Sequence, residues 1–233
     1  MKPIGLICGA NRGIGLGLCQ KLLRKGWTVI GSHRDGDNQN LNILQEEYQG
    51  DFHQVSFDVT KEQEVQKARD QLKAAGFQYI DLLVINAGIL CDRSATLMET
   101  TGKNLAKGFE VNVIGTMQVL QSFIPMVQNS QRKTVMAMGS RAASLAVTQN
   151  QADQYDYRIS KCALNMLMKL VSIEYPTVQC IIQHPGWTRT KMGGPEATFE
   201  VDEVVARLAT IIEDTSSIKS GQFIDNKGQE IPW

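Results

Sequence analysis

A chain of 233 residues is long enough to bury one sizeable α/β core or two small ones, and nothing in it marks a linker. Hydrophobic residues make up 42% and charged residues 21%, with 24 basic side chains against 24 acidic, so composition offers no case for nucleic acid or an anionic membrane as partner. The five cysteines form no CxxC pair and have no nearby histidine to complete a metal site, so they are expected to be reduced thiols of a cytoplasmic protein with no bound metal.

The N-terminal apolar run is broken by Asn11 and Arg12, and no stretch approaches the ~20 apolar residues of a membrane span. Residues 4–8 read as a strand, residues 9–15 as a glycine-rich turn, and Leu16, Leu18, Cys19, Leu22 and Leu23 as the apolar face of a helix. A second strand is expected at 27–31, a short helix at 41–48, a third strand at 52–57 and an amphipathic helix at 61–75. A buried strand at 82–85 then runs into Asn86-Ala87-Gly88. The same rhythm continues with a long helix at 109–127 carrying Pro125 near its end, strands at 134–138 and 178–183 around a helix at 155–172, a helix at 201–212 and a last strand at 222–225. Alternating strands and helices predict a single domain over residues 1–233, an α/β doubly wound fold whose sheet holds about seven parallel strands with helices on both faces.

A glycine-rich turn between a first strand and a helix lets backbone approach a pyrophosphate at the helix N-terminus. Gly9, Gly13 and Gly15 are spaced for this as GxxxGxG, which departs from the GxGxxG pattern, and alone they would serve a purely steric turn equally well. The second strand ends in Gly31-Ser32-His33-Arg34-Asp35. Arg34 precedes the carboxylate and Arg12 lies in the turn; unless both are simply solvated, two guanidinium groups near one ribose favour NADP over NAD.

In the helix at 155–172, Tyr157 and Lys161 are one turn apart on one face. A free phenol titrates near ~10, and an adjacent cation favours the phenolate, so the pair can act as an acid/base device; it can equally be a solvated helix face.

Taken in order, these motifs resemble the short-chain dehydrogenase/reductase family, and in particular its small carbonyl-reductase-like members. The resemblance spans nearly the whole chain: Gly9-Ala10-Asn11-Arg12-Gly13-Ile14-Gly15, Asp58-Val59, Asn86-Ala87-Gly88, Asn112, Ser140, Tyr157 with Lys161, and Pro185-Gly186 with Thr188 and Thr190. It implies a Rossmann fold and NADPH-dependent reduction of a small or permissive aldehyde, ketone or quinone. It further implies that Gly9, Asn11, Gly13, Ile14 and Gly15 form the pyrophosphate turn, that Arg12 and Arg34 hold the 2′-phosphate, and that Asp58 and Val59 bracket the adenine. Asn86, Ala87 and Gly88 would support the cofactor, and Pro185, Gly186, Thr188 and Thr190 would line its nicotinamide side. Asn112, Ser140, Tyr157 and Lys161 match the catalytic set: Tyr157 would give the proton, Ser140 fix the substrate oxygen, Lys161 acidify the phenol and bind ribose, and Asn112 hold a water that refills the proton.

Three positions depart from that pattern. Cys8 replaces the usual Thr, whose hydroxyl helps tie the turn and whose thiol substitute does so more weakly, Thr188 replaces the usual Val, and Gly139-Ser140 stands where two serines are common, which leaves Ser144 as the alternative serine. None of the histidines is placed as a base, with His184 beside Pro185 the least settled. Met166, Leu167, Leu170 and Ile173 are expected in the core or in a helix pair, and the resemblance implies a homodimer or homotetramer joined through the helices at 109–127 and 155–172. The short segment 187–199, with Trp187 and Met192, is expected to cover a shallow, apolar pocket, and Ile231-Pro232-Trp233 to fold back. Two alternatives remain open at this level: a cofactor-bound signalling or redox-sensing protein, and a methyltransferase on the same sheet topology.

Overall fold

The computed structural model describes residues 2–34, 36, 38–148 and 152–233. Seven parallel strands form one sheet in the order β3-β2-β1-β4-β5-β6-β7, with β1 at Ile4–Cys8, β2 at Thr28–His33, β3 at Phe52–Ser56, β4 at Leu82–Ile85, β5 at Thr134–Met138, β6 at Gln179–Gln183 and β7 at Gln222–Ile224. The chain reverses its winding direction between β1 and β4, and the carboxyl ends of those strands open a crevice there.

Helices cover both faces, which is why the central strands are apolar on both sides. On one face α1 (Gly13–Arg24), α2 (Gln39–Glu47) and α7 (Val201–Glu213) bury Leu18, Leu22, Leu41, Val204 and Leu208 against β1, β2 and β4. On the other, α3 (Glu62–Ala74), α5 (Thr116–Gln128) and α6 (Tyr155–Glu174) bury Val65, Phe123, Val127, Leu164 and Met168 against Leu6, Leu83, Val135 and Ile182. No helix among the described residues is long and apolar enough to cross a membrane.

Two elements differ from the expectation in ways that matter for the site. The helix expected over 109–127 is instead α4 (Gly102–Phe109), a π-helical turn at Glu110–Gly115, and α5. It starts earlier because the Thr101 side chain accepts a hydrogen bond from the Asn104 backbone N–H at 3.1 Å and caps the first turn. The π turn appears where Asn112 is drawn out of helical register by partners on other elements. The second difference is β2, which runs on to His33 because its parallel register with β3 continues through His33 opposite Ser56.

The last residues fold back as expected. Asp225 accepts from the Gly228 N–H at 3.0 Å to close a turn, Ile231 N donates to Phe223 O at 2.8 Å, and Trp233 stacks on Phe223 with ring centroids 5.7 Å apart. Of the residues expected in the core or in a helix pair, Met166, Leu170 and Ile173 are exposed, at 61%, 56% and 66%, which excludes the core for them, and only Leu167 packs against it. They point outward because α6 turns its opposite face, with Leu164 and Met168, onto the sheet. Phe123 is fully buried and packs against Phe57, so Phe123→Ala should cost about 3–5 kcal/mol, read as a lower urea midpoint at unchanged m-value.

Candidate active site

The turn after β1 is built by close backbone approach. Gly9 has φ 78°, and a Cβ there would lie 3.1 Å from the Ala87 backbone; a Cβ on Gly15 would lie 2.1 Å from Gly9 O. Two side chains tie it down. Asn86 Nδ2 donates to Gly9 O at 2.8 Å, and Ser32 Oγ accepts from Gly9 N at 3.1 Å. Cys8 is fully buried, and burial pushes its thiol up to about 12, Ser32 pulling weakly the other way, so it packs as a neutral group. The tie expected of a hydroxyl at position 8 is therefore supplied by Ser32 from β2, a residue the sequence reading quoted but gave no role.

Arg12 precedes α1 and is exposed, as is Arg34 at the end of β2; Asp35 lies outside the described residues. Arg34 Nη1 is 4.0 Å from Asp58 Oδ2. Burial raises the Asp58 carboxyl, but hydrogen bonds from Thr60 N and Oγ1, at 2.9 and 2.8 Å, with the charges of Arg34 and Lys107, bring it below its ordinary value. Asp58 is thus a fixed anion, with the exposed Arg34 guanidinium at the outer limit of an ion pair with it. Val59 packs on the π turn, where a Cβ on Gly115 would fall 2.7 Å away.

On the other side of the turn, a Cβ on Gly13 would lie 3.2 Å from Thr190 Cγ2, so the segment after β6 closes against the glycine turn. Asn226 Nδ2 donates to Pro185 O at 2.9 Å, and Gly186, at φ 89°, leaves no room for a side chain between Asn226 and Phe199. Thr188 is buried and bridges to Phe199, and Trp187 Nε1 donates to Gly193 O at 2.8 Å, which gives the 187–199 cover a fixed shape.

The four residues matched to catalysis come together at the ends of β4 and β5. Ser140 directly follows β5, caps a short 3₁₀ turn (Arg141–Ala143) by accepting from Ala142 N at 3.2 Å, and its hydroxyl draws down the phenol of Tyr157 from α6. Ser144 is turned away: its Oγ donates to Pro232 O and accepts from Val147 N, so it fastens the C-terminal tail to the Ser140 loop. Asn112 Oδ1 accepts from Ile89 N at 2.9 Å, while its Nδ2 donates to Ile89 O at 3.0 Å and to Ser160 Oγ at 2.9 Å. Ser160 in turn donates to Tyr157 O at 2.9 Å. Ser160 carried no sequence signal, because a small polar residue inside a helix shows its role only through its partner. A Cβ on Gly88 would lie 3.2 Å from Asn112 Oδ1 and 3.3 Å from Lys161 Nζ, so both polar groups converge where that glycine leaves space.

Lys161 is 4% exposed, donates to Met138 O at 2.7 Å, and sits 5.8 Å from the centroid of the Tyr157 ring. Burial pushes its ammonium down to about 8. Burial raises the Tyr157 phenol above its ordinary value, against a downward pull from the Ser140 hydrogen bond and the charge of Arg93. The expectation that Lys161 acidifies the phenol is therefore corrected in part: burial prevails, and the cation drawing the phenol down is Arg93, which had no place in the sequence reading. His184 is pushed to about 4, by burial first and then by the Arg141 charge, and is neutral near pH 7.

The family model for short chain dehydrogenases matches residues 4–200. The C-signal protein of Myxococcus xanthus is 31% identical over 156 residues, covering 66% of this chain and 93% of its own. The NADPH-bound carbonyl reductase from chicken fatty liver superposes with TM-score 0.90 at 28% identity over the whole of both chains. A carbonyl reductase from Pseudomonas aeruginosa PAO1 in complex with NADP does so with TM-score 0.84 at 30% identity, again over both whole chains.

Lys161 should leave a pH signature. A lysine whose folded value lies below its unfolded one destabilises the fold at low pH, and the penalty fades as pH rises from about 8 toward the ordinary 10.5. Relative to wild type, Lys161→Met should therefore be stabilised most below pH 8 and lose that advantage across this window, as followed by urea unfolding from pH 7 to 10.5.

Proposed function

Because the chain belongs to the short-chain dehydrogenase family of oxidoreductases, we propose that it is an NADPH-dependent carbonyl reductase. One observation carries this reading: Tyr157, whose phenol the Ser140 hydroxyl draws down, stands beside Lys161 and Asn112 at the carboxyl ends of β4 and β5, next to a glycine turn shaped for close backbone approach. The residues fit a dinucleotide. Gly9, Gly13 and Gly15, with Asn11, Ile14 and the first N–H groups of α1, would hold the pyrophosphate, and Arg12 and Arg34 the 2′-phosphate. Asp58 and Val59 would border the adenine; Asn86, Ala87 and Gly88, with Pro185, Gly186, Thr188 and Thr190, would enclose the rest. NADP-bound relatives of the same architecture support this choice.

When bound, the cofactor supplies a hydride to the carbonyl carbon. Ser140 donates a hydrogen bond to the carbonyl oxygen and holds it beside Tyr157, whose hydroxyl gives its proton to the oxygen as negative charge builds there. The balance is one hydride and one proton added to the carbonyl, giving the alcohol. A buried phenol above its ordinary value stays protonated at neutral pH, as a general acid must. Lys161, whose Nζ approaches the Asn112 amide at Gly88, would return the proton to Tyr157 by way of a water held at Asn112.

Tyr157→Phe should lower kcat with simple aldehydes or quinones by about 10²–10⁴-fold while leaving NADPH affinity nearly intact; an unchanged rate rules out Tyr157 as the acid. Ser140→Ala removes a hydroxyl that draws the phenol value down, so it should also move the alkaline limb of kcat/KM to higher pH. Fluorescence titration should show tighter binding of NADPH than NADH, and Arg12→Ala with Arg34→Ala should erase the difference.

The likeness to C-signal favours a second reading, a cofactor-bound signalling protein with little turnover. Turnover across a panel of carbonyl compounds excludes it; binding without turnover selects it. We also propose that Ile159, Met166, Leu170 and Ile173 on α6, with Ile114 and Met117, are covered by a second copy of the chain. Leu170→Glu should then give a monomer by light scattering where wild type is a dimer or tetramer.

A further inference from the structure

Arg93 lies in the connection between β4 and α4. Its backbone is pinned on the C-terminal side, where Asp92 Oδ1 accepts from Ser94 N at 3.0 Å and Ala95 N at 3.1 Å, and Ala95 is buried. The Arg93 side chain reaches across to the segment after β6, where Nη2 donates to Met192 O. One guanidinium thus links the loop after β4 to the segment after β6, and its charge draws the Tyr157 phenol down.

A guanidinium has five N–H donors, and here one is used on a neutral carbonyl. The carboxylates closest in sequence are committed elsewhere, Asp92 to its own turn and Glu99 to Thr96 N and Oγ1 at 2.9 and 2.8 Å, and Asp156 accepts from Cys91 N at 3.0 Å. Other arginines of this face have partners, Arg158 with Asp153 at 2.8 Å and Arg189 with Glu200 at 2.5 Å. Among the described residues Arg93 makes no ion pair, and neither does Arg141, which follows Ser140 directly. The pocket expected to be shallow and apolar therefore has positive charge without an ion-pair partner among the described residues at its edge.

We propose that Arg93 is a substrate-anchoring residue, and that the preferred substrates are carbonyl compounds bearing a carboxylate, bound with the carboxylate on the Arg93 guanidinium and the carbonyl oxygen on Tyr157 and Ser140. This rests on the reductase reading. The planar fork of an arginine matches a carboxylate in two parallel hydrogen bonds, and the Asp92 turn and Met192 O hold it in place before substrate arrives. A neutral carbonyl of the same shape would bind without that anchor, and the loss would fall mainly on KM.

The test compares 3- and 4-carboxybenzaldehyde with their methyl esters, which differ in charge at the remote end. The ratio of kcat/KM for acid over ester removes any effect common to both compounds, including the change in the Tyr157 phenol that follows from altering Arg93. For at least one isomer the wild-type ratio should be about tenfold or more, falling toward 1 in Arg93→Gln and staying between the two in Arg93→Lys. A wild-type ratio near or below 1 for both isomers, or a preference that persists in Arg93→Gln, overturns the anchoring role while turnover of the esters keeps the reductase intact. If none of the four compounds is reduced, the reductase reading falls, and this proposal falls with it.

Discussion

The buried ammonium of Lys161 is the constraint around which the site is arranged. Withdrawing such a group from water costs several kcal/mol unless donors and acceptors are supplied, and here Met138 O, at the end of β5, accepts from it at 2.7 Å. That contact fixes α6 against the carboxyl end of the sheet, and because Tyr157 is one turn earlier on the same helix, it fixes the phenol as well. A methyl group at Gly88 would lie 3.3 Å from Lys161 Nζ and 3.2 Å from Asn112 Oδ1, so one of them would have to give by a few tenths of an ångström.

Asn112 provides the second brace. Its amide spends both ends on the Ile89 backbone and on Ser160, so the loop after β4, the helix pair and α6 are joined through one side chain. Serving three partners is incompatible with regular helical register, and the chain takes the extra residue as a π turn between α4 and α5. The disturbance stays local because Gly115 lets Val59 close over the turn.

Charge is distributed unevenly around this frame. At one end of the crevice Arg34 stands at the outer limit of an ion pair with Asp58, and at the other Arg93 links the loop after β4 to the segment after β6 without a carboxylate partner among the described residues. Burial alone would leave Tyr157 a poor acid, and the opposing pull comes from Ser140 and Arg93. Ser140 and Arg93 therefore also tune the Tyr157 phenol.

Strand and helix order, the parallel sheet and the glycine turn were legible in the sequence, because two-sided burial writes continuous apolar runs and a close approach of backbone demands glycine. Tyr157 and Lys161 were legible as a pair, since helical spacing alone puts them on one face. What the sequence could not carry are relations between residues distant along the chain. Ser32 and Asn86 take the place of a hydroxyl at position 8, Ser160 carries Asn112, Ser144 fastens the tail, and Arg93 meets Met192, 99 positions away. Local periodicity reports which face of an element is buried, whereas hydrogen-bond partners and the balance of burial against charge exist only once the sheet has brought the carboxyl ends of β1, β4, β5 and β6 together.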